Sequence, residues 1–244
     1  MDHQDLYFFI IAIFAVIQSI FGMGILVFGT PTLLLFGFDF STVLALLLPS
    51  SVLISLTQVL TSGHVPFIKR EKKNLLLCAI FVLVSLSLIL ALGLKINIDI
   101  LVGIVLLFSA AVRLSDRFRN YIKHRLSRYE RSFVIFMGVI HGMTNMGGAL
   151  LALYASATQD EKQGIRATVS RYYLVFGLIQ LTTLSLLKWD ALNFYGFMAA
   201  PLALIVYLVV GNIIFRKTSS QAYERLVTFF ITVYGVVVLT KGYL

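Results

Sequence analysis

Residues 139–155 read V-I-H-G-M-T-N-M-G-G-A-L-L-A-L-Y-A, an apolar run broken at its centre by His141, Gly142, Thr144, Asn145, Gly147 and Gly148. Lipid satisfies no loosened backbone, so a membrane segment carries such a break only where protein or a polar cavity surrounds it. The stretch also has a partner. Residues 16–24 read V-I-Q-S-I-F-G-M-G against V-I-H-G-M-T-N-M-G for 139–147, an offset of 123 residues in a chain of 244. Interrupted apolar segments in corresponding positions of two halves are the sequence mark of an inverted-repeat carrier, with its ligand between them.

Everything around these two stretches is apolar. The chain is 59% hydrophobic and 13% charged, with a mean hydropathy of +0.93; soluble domains are roughly half apolar and about a quarter charged. Several runs reach the ~20 apolar residues that cross a bilayer, which makes this a polytopic membrane protein. Lys and Arg number 20 against 11 Asp and Glu. They sit in short loops between apolar runs, where the positive-inside rule explains them and nucleic-acid binding does not. Cys78 is alone inside an apolar run and is read as a packing residue. The acidic start Met1-Asp2-His3-Gln4-Asp5 lacks the basic n-region of a signal peptide.

The first half, 1–114, holds a broken segment at 6–36, interrupted at Gly22, Gly24, Gly29 and Pro31, and spans at 42–61, 74–94 and 98–114. Residues 115–131 carry six Lys/Arg and read as an amphipathic or irregular cytoplasmic linker lying against anionic headgroups. The second half, 132–244, repeats the plan. It has a broken segment at 132–157, a polar loop at 158–164, and spans at 168–187, 191–215 and 226–240.

Charge decides the topology. If 132–157 crossed once, the loop with Arg216, Lys217 and Arg225 would lie opposite the basic loops at 69–73 and 117–131. If it enters and returns on one side, as a re-entrant hairpin broken at 145–148, 15 of the 20 Lys/Arg share the cytoplasmic side. Only Lys95, Lys188 and Lys241 then lie outside, as the positive-inside rule requires. Treating 6–36 likewise puts both termini outside, in keeping with 68 leading residues that contain no Lys or Arg. The predicted fold is all-α: two inverted-topology repeats, each a broken re-entrant helical hairpin plus three transmembrane helices. A duplication kept only for close packing would explain the glycines but not the polar residues beside them.

The chain resembles the TauE/SafE sulfite-exporter permeases over nearly its whole length. The resemblance lies in Gly22-Met23-Gly24 followed by G-T-P-T-L at 29–33, in 138–148, in Arg166-Ala167-Thr168, in Pro201 with Gly211, and in the closing loop and span at 223–239. Family members often carry a fuller G-x-G-G-G run; here the first half has only Gly22 and Gly24. The resemblance implies a carrier of small anions, often sulfur-containing, in a bacterial plasma membrane.

A re-entrant hairpin returns through a half-helix whose first N–H groups and positive dipole end face a cavity. With one such end near Gly24 and another near Gly147, an anion site needs no charged residue, and glycine lets the ligand approach the backbone. The substrate-binding candidates are Gln18, Ser19, Gly22 and Gly24 in the first copy and His141, Thr144, Asn145, Gly147 and Gly148 in the second. Arg171, about one turn inside the span at 168–187, either binds the anion or snorkels to the cytoplasmic interface. Arg166 is read as interfacial. Thr57, Gln58, Tyr173 and Gln180 are pathway-lining candidates of lower rank, since helical spacing puts Tyr173, Gly177 and Gln180 on one face.

No H-E-x-x-H, G-x-S-x-G, Walker loop or Cys/His cluster occurs, so no catalytic residue, metal or cofactor is assigned. The partners implied are a small anionic substrate and the lipid bilayer, not nucleic acid, with a homodimer left open. The reading is a permease for a sulfur oxyanion or organosulfonate (sulfite, sulfoacetate or thiosulfate) working by alternating access. The alternatives are an anion channel on the same scaffold and a non-transporting membrane assembly protein that uses 115–131.

Overall fold

Apolar runs parted by short polar loops fold as helices, because a backbone away from water must bond to itself. The computed structural model describes residues 3–63, 65–93, 104, 107–112 and 114–241, and every regular element described is helical. In order these are α1 (His3–Phe21), α2 (Ile25–Leu35), α3 (Phe40–Thr61), α4 (Lys69–Leu92), α5 (Asp116–Thr144), α6 (Gly148–Thr158), α7 (Lys162–Leu187), α8 (Phe194–Val206), α9 (Asn212–Lys217) and α10 (Ser220–Lys241). A 3₁₀ turn (Trp189–Ala191) precedes α8, and a π turn (Tyr207–Gly211) joins α8 to α9.

Phe40–Thr61, Lys69–Leu92 and Phe194–Lys217 are each long and apolar enough to cross a membrane. At 1.5 Å per residue they are about 33–36 Å long. The distribution of side chains agrees with a lipid surround. Leu60, Leu76, Leu186 and Phe194 stand 65–78% exposed, whereas Gln18, Ser51, Ser55, His141, Asn145 and Gln180 are fully buried. That arrangement suits an apolar solvent. The polar ends are capped locally: Asp39 accepts from the Ser41 and Thr42 N–H groups at the start of α3, and Asn193 from the Tyr195 N–H at the start of α8.

Several boundaries differ from the sequence expectation. The basic linker is regular helix and runs on into the next segment, with a single non-helical residue, Tyr129 (φ −116°, ψ 26°), at the joint. Helix α7 starts at Lys162, so the polar loop shrinks to 159–161. The reason is long-range: the Lys162 ammonium donates to the Phe215 carbonyl (2.7 Å) and the Thr218 carbonyl, satisfying the C-terminal end of α9. The last span begins at Ser220 rather than 226. The expected turn at 95–97 and much of the span at 98–114 lie outside the described residues.

Both broken segments fold back on themselves. In the first, Phe14 of α1 faces Phe28 of α2 with ring centroids 6.3 Å apart. In the second, Phe133 of α5 stacks on Tyr154 of α6 at 6.4 Å. A continuous helix would separate either pair by about 20–30 Å. The returning legs run in opposite directions. Helix α10 lies alongside α2 in the same sense, with Tyr223 against Phe21, Phe230 against Phe28, and the Tyr234 hydroxyl 3.3 Å from Thr32. Thus α2 runs away from the end where α10 starts, while α6 runs towards it, the Ser156 hydroxyl donating to Glu224 (3.1 Å).

That end gathers the basic segments. Arg70 pairs with Glu130 (3.2 Å), Glu130 accepts from Tyr154 (3.0 Å), Arg171 pairs with Glu71 (3.3 Å), and Lys162 reaches the carbonyls after Phe215. The glycines at 138 and 142 have a packing duty. A β-carbon at either would come within 2.6 Å of the Cys78 or Val82 carbonyl, so they let α5 lie against α4.

Candidate functional site

The two breaks are built alike. Gly22 has φ +75° and Asn145 φ +60°, left-handed conformations that glycine and asparagine tolerate best. The Gly22 N–H donates to the Gln18 carbonyl (2.8 Å) and the Asn145 N–H to the His141 carbonyl (2.7 Å). A β-carbon at Gly24 would run into the Gln18 and Phe14 backbones; one at Gly147 would meet His141 and the Met137 carbonyl (3.1 Å). The returning helices then close with Phe28 donating to Gly24 and Leu151 to Gly147, each at 2.9 Å. Every residue of the first set has its counterpart 123 positions on.

Their side chains are spent differently. At the first break the Gln18 amide nitrogen donates to the Ser51 carbonyl (3.0 Å), the Ser51 hydroxyl (3.1 Å) and the Ser55 hydroxyl (3.2 Å). Its oxygen accepts the Ile25 N–H (3.2 Å), one of the first-turn donors of α2. Gln58 donates to the Gln18 and Ser19 carbonyls (3.0 and 3.2 Å) and accepts from Ser170 (2.8 Å). The Ser19 hydroxyl bonds back to the Ala15 carbonyl, and its β-carbon presses on Gly211 of the π turn. This break is closed by its own side chains.

At the second break Thr144 caps Met146 (3.1 Å) and Asn145 donates through Nδ2 to the Thr30 hydroxyl of α2 (2.8 Å). Among the described residues, no hydrogen bond reaches the Asn145 Oδ1 or the Tyr173 hydroxyl, and the His141 ring nitrogens and the Gln180 amide have no partner beyond each other. These groups are together. The His141 ring lies 5.7 Å from the Tyr173 ring and 4.4 Å from the Phe176 ring, with Gln180 beside it. The Tyr173 hydroxyl occupies the space that a side chain at Gly148 would fill, aimed at the first turn of α6. Unpartnered buried polar atoms are rare and each costs about 1–3 kcal/mol. Tyr173, His141 and Asn145 thus lie at or beside the second break and the start of α6, with Gln180 against His141.

The breaks do not meet tip to tip. Asn145 sits opposite Thr30, and Gly148 against Val27, so the hairpins overlap by about 9 Å along α2. What links them is one face of α7. Gly22 abuts the Arg166 carbonyl, Val169 and Ser170; His141 and Gly148 abut Tyr173 a turn further on. Arg171 lies elsewhere. It points to Glu71 and the loop after α3, donating to the Val65 and Pro66 carbonyls with its guanidinium 4.7 Å from the Phe67 ring centroid. Thr57 bonds back to Leu53 in its own helix (2.9 Å).

Ser51, Ser55, Thr30 and Ser170 contact the breaks and were not singled out in the sequence. Arg166, read there as interfacial, also reaches the Ser19 carbonyl at 3.1 Å. For Arg166 and Ser170 the signal was the spacing 166, 170, 173, 177, 180, a polar and small stripe on one side of α7. An apolar cavity of about 260 Å³ lies apart from the breaks, between the linker residues Arg125, Leu126 and Tyr129 and the second hairpin's Phe133, Phe136, Leu150 and Leu153.

Long apolar helices, a polar interior and two buried helix breaks define a multi-pass membrane transporter. The chain belongs to the sulfite exporter TauE/SafE family, whose model matches residues 7–238. No curated protein and no solved structure matches the chain. The family comprises membrane transporters of sulfur-containing anions, not enzymes.

Proposed function

We propose that this chain is a permease for a small sulfur oxyanion or organosulfonate. It binds its substrate at the N-terminus of α6 and works by alternating access between two inverted repeats in a bacterial plasma membrane. The observation that carries the reading is the cluster at the second break. His141, Asn145, Tyr173 and Gln180 are buried with hydrogen-bonding capacity unspent, and they surround a helix end that favours negative charge. The Tyr173 hydroxyl, the Gln180 amide NH₂ and a His141 ring N–H can donate to the three oxygens of a sulfite or sulfonate, whereas the free Asn145 oxygen only accepts. The opposed directions of α2 and α6 and the matched contacts 123 residues apart support the inverted repeat. The gathering of basic segments at one end supports a cytoplasmic placement of that end, with both termini outside.

Tyr173→Phe is the direct test, in proteoliposomes loaded with labelled sulfite or thiosulfate. It removes an orphaned hydroxyl, so a purely structural tyrosine would leave the protein as stable or more so. The proposal expects retained or raised thermal stability with anion flux reduced about tenfold or more, the loss of one hydrogen bond to a charged ligand. Flux equal to wild type would place the substrate elsewhere.

A further inference from the structure

The polar face of α7 begins with an arginine at its basic end. We infer that Arg166 is the charge partner of the transported oxyanion, holding it beside the first break on its way along α7 to the second. The inference rests on the anion site proposed above, and it names the residue that site lacks: a cation for the ligand's charge.

Arg166 is half-buried, and all its partners are neutral. One terminal nitrogen donates to the Ser19 carbonyl (3.1 Å) and the Asn212 side-chain oxygen (3.5 Å), while the guanidinium lies 3.4 Å from the Phe215 ring centroid. Among the described residues no carboxylate pairs with it, and its Nε–H and second terminal NH₂ carry no acceptor. Arg216, close by, is exposed to solvent, and the other cations at this end are provided for. Arg70 has Glu130, Arg171 has Glu71, and Lys162 has the carbonyl end of α9. Lys162 lies one turn before Arg166 and faces the same Phe215 ring at 4.6 Å, so a second positive charge adds to the first. Burial, and then the charge of Arg166, hold the Lys162 pKa below its ordinary value.

A desolvated charge without a counter-ion costs several kcal/mol. It persists where something transient supplies the opposite charge. The free Nε–H and NH₂ edge is the planar fork that grips two oxygens of an oxyanion at once. From there Ser170, Tyr173, Gly177 and Gln180 follow at alternating spacings of four and three residues, one line along the helix past both breaks.

The experiment measures sulfite and thiosulfate affinity by thermal-shift titration in nanodiscs, for wild type, Arg166→Gln, Arg166→Lys, Arg171→Gln, Tyr173→Phe, and the exposed-cation control Lys188→Gln. Arg166→Gln is expected to weaken both anions about tenfold or more, the loss of one charge-assisted bonded pair. Arg166→Lys keeps the charge without the fork and falls between, and Lys188→Gln matches wild type. Undiminished affinity in Arg166→Gln, while Tyr173→Phe loses binding, overturns this inference and leaves the α6 site standing. Loss in Arg171→Gln but not in Arg166→Gln also overturns it. A wild-type protein that binds neither anion overturns both readings. If Arg166→Gln does not fold, Arg166→Lys decides alone, since wild-type affinity there excludes the fork.

Discussion

Replacing Arg171 by Met should destabilise the protein more than replacing Arg171 and Glu71 together. Both side chains are nearly excluded from solvent, at 8% and 5% exposure, and they pair at 3.3 Å. Removing the arginine strands a carboxylate in the core and frees the Val65 and Pro66 carbonyls it bonds. Breaking a buried pair from one side costs about 3–5 kcal/mol, whereas replacing both charges by well-packed apolar groups is often near neutral. In a chain of this size 1 kcal/mol moves the midpoint by about 2–4 °C, so the single variant should melt roughly 6–20 °C low. Glu71→Met should fall short of that, because the guanidinium keeps two carbonyls and the Phe67 ring. The assay is thermal unfolding of purified protein in one detergent, with and without sulfite. A double variant less stable than either single would refute the account of Arg171 as a structural clamp. The sulfite-induced shift adds a second check. It should be as large in the double variant as in wild type; its disappearance there would return Arg171 to the anion site.

At the second break, Asn145→Ala should be less stable than Asn145→Gly. Both lose the bond to Thr30, but alanine also meets a left-handed backbone that costs it about 1–2 kcal/mol; equal midpoints would refute the strain argument. Topology is open to labelling in a Cys78→Ser background, Cys78 being buried. A membrane-impermeant maleimide applied to whole cells should modify Lys188→Cys and spare Lys217→Cys, and the opposite pattern would invert the proposed orientation.

The repeated break was legible because its backbone demands show in the letters. A left-handed residue must be Gly or something like Asn, and Gly22 and Asn145 fall at the same offset as Gly24 and Gly147. Charge placement led to the expectation that 132–157 folds back, and likeness to it extended that expectation to 6–36. The contacts of the two arginines were not legible. Sequence made Arg171 the candidate and Arg166 interfacial; where each points depends on the start of α7, where Lys162 reaches Phe215, 53 residues away. The glycines were ambiguous for a similar reason. Gly138 and Gly142 press on α4 while Gly147 and Gly148 shape the break, and no local pattern separates a glycine that admits a helix from one that admits a ligand.

The two breaks share a backbone geometry but keep two unlike chemistries. The backbone problem is the same in both: a chain reversal inside the protein leaves first-turn N–H groups without partners. In the first copy Gln18 solves it from within, bonding Ile25, Ser51 and Ser55, with Gln58 closing the carbonyl side. At the position equivalent to Gln18 the second copy has His141, which is too short and too rigid to reach back in the same way. Facing it stands Tyr173, whose hydroxyl is left over. A break satisfied by its own amide has little to offer a ligand, because binding would first have to displace those bonds. A break with unspent donors and acceptors gains from any oxyanion that fills it and loses only that gain when the oxyanion leaves. Reversible binding of this kind is what a carrier requires, and it is why the proposed reading sets the exchangeable contacts at the second break rather than sharing them equally between the two.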